Sequence, residues 1–336
     1  MQQTNWQPLL RQAKNNLRSF IKELDLEESS LQLSEKAIQS FPFRVPDGFL
    51  ERITKGDPND PLLRQVLPVT DEEIHHPSFS KNPLDEDSSQ PVPGLLHKYH
   101  GRALLVTTGA CAIHCRYCFR RHFPYSEANP STKKWQRALA HITADNTISE
   151  IILSGGDPLT LSDENLSTLV NLLSEVPHIK RLRIHSRIPV ILPQRMSKNL
   201  ISLLATTRLK TVMVVHVNHP NELNAETPVI TQKLNKAGIT VFNQSVLLKG
   251  VNDNAEVLRQ LSEALFDSGI MPYYLHMLDP VAGAVHFEVS EARARQIMQE
   301  LFNTLPGYLI PRLVREIPGK ESKIPVDLKI TQESNL

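Results

Sequence analysis

The sequence predicts an α/β protein built on a partial (βα)6 barrel, and three observations carry that prediction. Short apolar runs recur from about residue 103 onward, at Leu104–Thr108, Ile148–Ser154, Arg181–Ser186, Thr211–Val217, Ile239–Leu247 and Pro272–Met277. Stretches with helical spacing separate them, near 131–143, 162–175, 197–207, 222–237, 254–268 and 289–303. The runs are near-continuously apolar, as expected of parallel strands covered by helices. Six units fall two short of a closed eight-unit barrel, so a partial, TIM-like barrel fits the count, with its site at the C-terminal ends of the strands. A doubly wound sheet also satisfies the pattern.

Within this frame the stretch 162–175 shows the local logic. Ser162 is placed to cap the helix, and Leu166, Leu169, Val170 and Leu173 fall on one face. Residues 1–95 are expected to form an N-terminal accessory region. One helix is expected through Leu9, Leu10, Leu17, Phe20 and Ile21, and a second from Leu31 to Phe41. From Asp57 to Pro93 the chain is rich in Pro, Asp, Ser and Asn, which predicts an extended wrapping segment anchored by Leu62, Leu63, Val66, Leu67 and Val69. Residues 96–305 are assigned to the barrel and 306–336 to a short C-terminal segment.

Composition excludes several classes of function. Lys+Arg (37) and Asp+Glu (36) nearly cancel over 336 residues, so no broad polyphosphate-binding surface is expected and nucleic acid is a poor partner. The N-terminus lacks the apolar core of a signal peptide, and no run approaches the roughly 20 apolar residues that span a bilayer. Three clustered cysteines leave no disulfide framework, which predicts a reducing, cytoplasmic location.

Those cysteines are the strongest chemical signal. Cys111-x-x-x-Cys115-x-x-Cys118 follows the first barrel strand and offers three soft thiolate ligands within eight residues. A [4Fe–4S] cluster held by three thiolates keeps one iron open to another ligand. The alternatives are three unrelated buried cysteines, or a zinc site with His114 or His122 as fourth ligand. One unit further on, the strand Ile151-Ile152-Leu153 ends in Ser154-Gly155-Gly156-Asp157, where paired glycines permit a close backbone approach.

The spacing of the cysteines after a first barrel strand resembles the radical S-adenosylmethionine (SAM) enzymes, and the rest of the chain resembles one subgroup, the lysine 2,3-aminomutases. The matching text is Cys115-Arg116-Tyr117-Cys118-Phe119-Arg120-Arg121, LSGGD (153–157), RIPVILPQR (187–195), HVNHPNE (216–222), NQSVLLKGVND (243–253), PYYLHMLD (272–279) and Lys323-Ile324-Pro325-Val326, spread over roughly residues 40–327. The resemblance implies a [4Fe–4S] cluster on Cys111, Cys115 and Cys118. It implies SAM held by the Ser154, Gly155, Gly156 and Asp157 segment together with His216 and Gln244. It also implies pyridoxal 5′-phosphate (PLP) bound covalently by Lys323, with its phosphate at Lys98, Tyr99 and Arg102. By chemistry alone Lys320 is an equal candidate for the covalent lysine. Lys98 replaces an arginine of well-known members, keeping charge but losing the bidentate fork.

For substrate, the resemblance implies L-lysine, with Arg120 on its carboxylate and Asp279 and Glu316 on its ε-ammonium. Glu316 stands where the family has aspartate, one methylene shorter. Asn218 and His219 read as scaffold. The implied reaction moves the amino group from C2 to C3 and yields β-lysine, with a flavodoxin- or ferredoxin-like reductant. Long members carry C-terminal cysteines for an intersubunit zinc; here no cysteine follows Cys118, and Asn254 stands where another zinc ligand lies. A short form supplying (R)-β-lysine for translation elongation factor P and its β-lysine ligase is therefore the expected cellular role. Rival readings are an aminomutase for glutamate or another amino acid, which the two acids oppose, and a non-catalytic iron–sulfur or zinc-binding protein.

Overall fold

The computed structural model describes residues 6–125 and 132–328; the first five residues and those after Leu328, the ends of the expected terminal segments, lie outside the described residues. One sheet of nine strands runs in chain order: β1 (Leu95–Tyr99), β2 (Arg102–Thr108), β3 (Glu150–Gly155), β4 (Arg181–Ser186), β5 (Lys210–His216), β6 (Thr240–Val246), β7 (Met271–His276), β8 (Arg312–Arg315) and β9 (Ile324–Pro325). Strands β2 to β8 pair in parallel, while β1 and β9 add antiparallel at the two ends. The order never reverses, so the sheet is singly wound. That excludes the doubly wound alternative, whose strand order reverses at a switch point.

The six expected strands are β2 to β7, and a helix follows each: Thr132–Ala144, Asp163–Ser174, Lys198–Thr206, Glu226–Lys236, Ala255–Asp267 and Glu291–Thr304. Ser162 caps its helix as expected, accepting from Asn165 N at 3.2 Å. Three strands beyond the six were not expected. Strand β8 has only Leu313 and Val314 between two arginines, too short a run to show a period. Strand β1 forms a hairpin with β2 through Gly101, whose φ of +75° a residue with a Cβ rarely adopts. Strand β9 is two residues long and brings Lys323 beside the barrel.

The accessory region differs in detail. The single helix expected from Leu9 to Ile21 is two, Trp6–Gln12 and Leu17–Glu23, because Asn16 caps the second by accepting from Ser19 N at 3.1 Å. The second expected helix shrinks to Glu35–Ser40, since Leu33 is drawn into a bridge with Val69 and Ser34 becomes the cap. The wrapping segment holds only short helical turns, and Leu62, Leu63, Val66 and Leu67 are buried as expected, with Val69 half-buried. Its anchors belong to the same apolar core as the barrel strands and helices. Among the described residues no helix is long and apolar enough to cross a membrane.

Candidate active site

The barrel encloses a cavity of about 570 Å³ that reaches from the strand starts (Arg102, Glu150, Arg183) to the loops beyond their ends (Cys111, Gly156, Arg187). Every residue that the resemblance assigns to cluster, SAM, PLP or substrate lines it. Cys111, Cys115 and Cys118 lie on the loop after β2. Ser154, Gly155, Gly156 and Asp157 end β3, His216 ends β5, Gln244 lies on β6, and Asp279 follows β7. Lys98, Tyr99 and Arg102 come from β1 and the start of β2, and Glu316 and Lys323 from the β8–β9 connection. Lys320 does not line the cavity and is exposed.

The cysteine loop is gripped from outside by the wrapping segment. Glu72 accepts from Arg116 (2.8 and 2.6 Å) and from Arg121 (2.6 Å), and all three side chains are buried. Arg116 also donates to the carbonyls of Phe41 and Ala37. One carboxylate thus holds the two arginines that flank Cys118 in the chain. Glu72→Gln is expected to destabilise the protein by about 3–5 kcal/mol, because it leaves two buried guanidiniums without a counter-charge. Chemical denaturation checks this, and a loss below about 1 kcal/mol would show that the arginines find other partners.

Inside the loop, Cys115 Sγ accepts from Arg187 Nη1 at 2.7 Å, and Arg187 Nη2 donates to Glu222 at 2.6 Å. Glu222, Gln65, Tyr117 and Asn218 close a buried polar network around that arginine. Burial and the neighbouring Cys115 sulfur push the Cys118 thiol up to about 11, a bias that binding to a metal would reverse. His114 bonds the Pro42 carbonyl at 2.7 Å and stacks on Phe41, and His122 bonds the Ala282 carbonyl at 3.1 Å. Neither histidine forms a metal-sized group with the three cysteines among the described residues.

The paired glycines pack closely against the protein's own backbone. A Cβ on Gly155, whose φ is +130°, would sit 2.4 Å from the Thr108 carbonyl oxygen, and one on Gly156 would sit 2.3 Å from that of Ala110. The end of β3 is thereby pressed against the backbone just before Cys111. Asp157 has its carboxylate used within the protein, accepting from Ser186 Oγ (2.7 Å), Arg187 N (2.9 Å) and Leu159 N (3.0 Å). Burial still lifts it to about 6.

Electrostatics divide the cavity. Glu316 accepts from Lys323 Nζ at 2.6 Å and from Lys98 Nζ at 3.2 Å, with Tyr99 as a further hydrogen-bond partner. Burial opposes its charge, but the two lysines outweigh burial and bring it down to about 2. Asp279 has no such partner among the described residues; burial and the nearby Glu316 charge raise it to about 7. Arg120 donates through Nε and Nη2 to Glu86 (2.8 and 2.7 Å) and through Nη1 to Ser154 Oγ (3.1 Å). His216 is held neutral, down to about 3, by burial and the charges of Arg187 and Lys323, so its bare Nε2 accepts from Gln244 Nε2 at 2.8 Å.

The radical SAM superfamily pattern matches residues 105–261. The L-lysine 2,3-aminomutase of Escherichia coli (strain K12) is 51% identical over 306 residues, 91% of this chain and 89% of its own. That of Haemophilus influenzae is 48% identical over 96% of this chain and 95% of its own, and that of Clostridium subterminale 33% over 96% and 77%. The chain belongs to the L-lysine 2,3-aminomutase family. Membership implies a [4Fe–4S] cluster, SAM and PLP as cofactors.

The cavity of this lysine 2,3-aminomutase family member fits those groups. Three thiols with no fourth cysteine suit a cluster with one open iron. The buried Nε2 atoms of His185 and His276 face the same cavity without a hydrogen-bond partner, so polar ligand atoms are called for there. Lysine and arginine side chains beside Tyr99 suit a phosphate. Sequence reasoning missed Glu72, Glu86, Gln65, Arg187 and Glu222. Arg187 and Glu222 lay within the matched text but were given no role, and Gln65 lies beside Arg64 inside the run Leu62 to Leu67; Glu72 and Glu86 sit in acid-rich text that reads as solvated.

Proposed function

We propose that the protein converts L-lysine to β-lysine by moving the amino group from C2 to C3. The observation that carries this is the shared cavity: the three cysteines, Lys323 and the acid pair Asp279 and Glu316 all face it. In this reading Cys111, Cys115 and Cys118 hold the cluster, and the 154–157 segment with His216 and Gln244 holds SAM. Lys323 carries PLP, with Lys98, Tyr99 and Arg102 on its phosphate. When bound, cluster and SAM supply a hydrogen-abstracting radical, and PLP supplies a conjugated system that spreads an unpaired electron.

The chain's own residues supply recognition and exclusion of water. Arg120 presents Nη1 to a substrate carboxylate while Glu86 keeps the guanidinium in one orientation. Lys98 and Lys323 neutralise Glu316, so a ligand that takes up those lysines leaves two carboxyl groups without a counter-cation. An ε-ammonium satisfies that pair, whereas a glutamate side chain would be repelled. His216 stays neutral and acts as an acceptor that orients Gln244.

The test is anaerobic reconstitution with reductant, SAM, PLP and L-lysine, followed by product analysis; no β-lysine from a fully loaded enzyme would reject the substrate. A pH profile adds detail. The raised Asp279 carboxyl is neutral below about 7 and pairs with an ammonium only above it. So kcat/KM for lysine should rise through about pH 7, and Asp279→Asn should flatten that limb. A cytoplasmic location, a flavodoxin- or ferredoxin-type reductant, and supply of (R)-β-lysine to elongation factor P and its ligase complete the proposal by family analogy. Unaltered elongation factor P in a deletion strain would remove that last assignment.

A further inference from the structure

We propose a second, separate metal site: His97, His141 and Asp145 bind one divalent cation of the zinc class on the outer wall of the barrel. Leu96, Lys98 and Tyr99 of β1 line the cavity, whereas Leu95 is buried in the core and His97 does not line the cavity. His97 points away from the cavity, toward the first barrel helix. It meets His141, in the last turn of the helix Thr132–Ala144, and Asp145, the residue directly after that helix. One donor atom from each of the three lies within 4.8 Å of the others. His97 Nδ1 and Asp145 Oδ2 are 3.8 Å apart, and the two imidazoles meet edge to face with centroids 6.1 Å apart.

Three further observations point to a cation. His141 Nε2 is buried and has no hydrogen-bond partner, which costs about 1–3 kcal/mol unless something fills its lone pair or takes its proton. Asp145 Oδ1 is fixed by Thr147 N (3.0 Å) and Thr147 Oγ1 (2.6 Å), leaving Oδ2 turned to His97. Such outer partners commonly orient a metal-binding carboxylate. The carbonyl end of a helix, where His141 and Asp145 sit, also favours positive charge. A bare ion pair between a protonated His97 and Asp145 explains less. At 3.8 Å it is no hydrogen bond, and it leaves His141 Nε2 unsatisfied.

Two imidazoles and one carboxylate suit zinc, cobalt or nickel, while magnesium and calcium favour all-oxygen sets. Bond lengths of about 2.0–2.2 Å require the donors to draw together by roughly 1 Å. All three side chains are only half-buried, so rotamer adjustment can supply that movement. Three protein ligands leave a position for water. The ion would clamp β1, an end strand whose other face carries Lys98, to the first barrel helix.

Cobalt(II) titration of the cluster-reconstituted holoenzyme tests the site, since its cysteines are then occupied. We expect one equivalent with a visible d–d band, displaced by zinc, and a rise in Tm on metal addition. His141→Gln and Asp145→Asn should each keep the cluster absorbance and the metal-free Tm, yet weaken cobalt binding by about 100-fold or more. Equal cobalt binding by the wild-type protein and both variants, or binding only after the cluster is removed, would overturn the proposal.

Discussion

Replacing Lys323 with alanine is expected to lower β-lysine formation at least about 10³-fold while leaving the iron content of the reconstituted protein unchanged. Lys323 is bonded to Glu316, and Glu316 keeps Lys98 and Tyr99 when Lys323 is lost, so no buried charge is orphaned and the fold should tolerate the change. Lys320 is the internal control: it is exposed and off the cavity, and Lys320→Ala should retain full turnover. Borohydride trapping and peptide mapping give an independent readout, with label on Lys323 in the wild-type protein and none in the variant. Label on Lys320, or substantial product from Lys323→Ala, would reject the assignment.

That contrast also shows what a sequence can and cannot carry. Lys320 and Lys323 are equivalent by residue chemistry, and only family resemblance separated them; the structure supplies the physical reason, because β9 pairs with β8 and turns Lys323 toward Glu316. The six barrel strands were legible because each holds several apolar residues, continuous in β3 (Ile151–Leu153) and alternating in β4 (Leu182, Ile184). Strand β8 was not, since Leu313 and Val314 alone make no pattern. Among site residues, the cysteines, Lys323 and the acids were readable from motifs, though Arg187 and Glu222 were not despite lying in matched text; Glu72 and Glu86 act across 44 and 34 residues of sequence on Arg116 and Arg120. No local rule marks an acid in an acidic stretch as the counter-ion of a distant arginine. The glycine pair was read as letting backbone approach a ligand; the close approach seen within the protein is to its own loop.

That last point carries the second large effect. Gly156→Ala should reduce cluster content after reconstitution at least about tenfold and turnover by more than about 10². The added methyl would lie 2.3 Å from the Ala110 carbonyl oxygen and 2.7 Å from its carbon, both backbone atoms that cannot rotate aside. Gly156 N donates to the Thr108 carbonyl at 2.7 Å and Asp157 N to the Ala110 carbonyl at 2.8 Å, so the two segments are tied on either side of the contact. Relief must come from moving the loop, and the next residue along it is Cys111. Three sulfurs on one short loop must meet one cluster, so a displacement on the order of 1 Å at the first removes the fit for all three. Circular dichroism separates this outcome from unfolding, because a folded variant keeps the helical signal of the wild-type protein. A folded Gly156→Ala protein that loads a full cluster would show that the loop yields without cost, and that the glycine is required by the ligand instead.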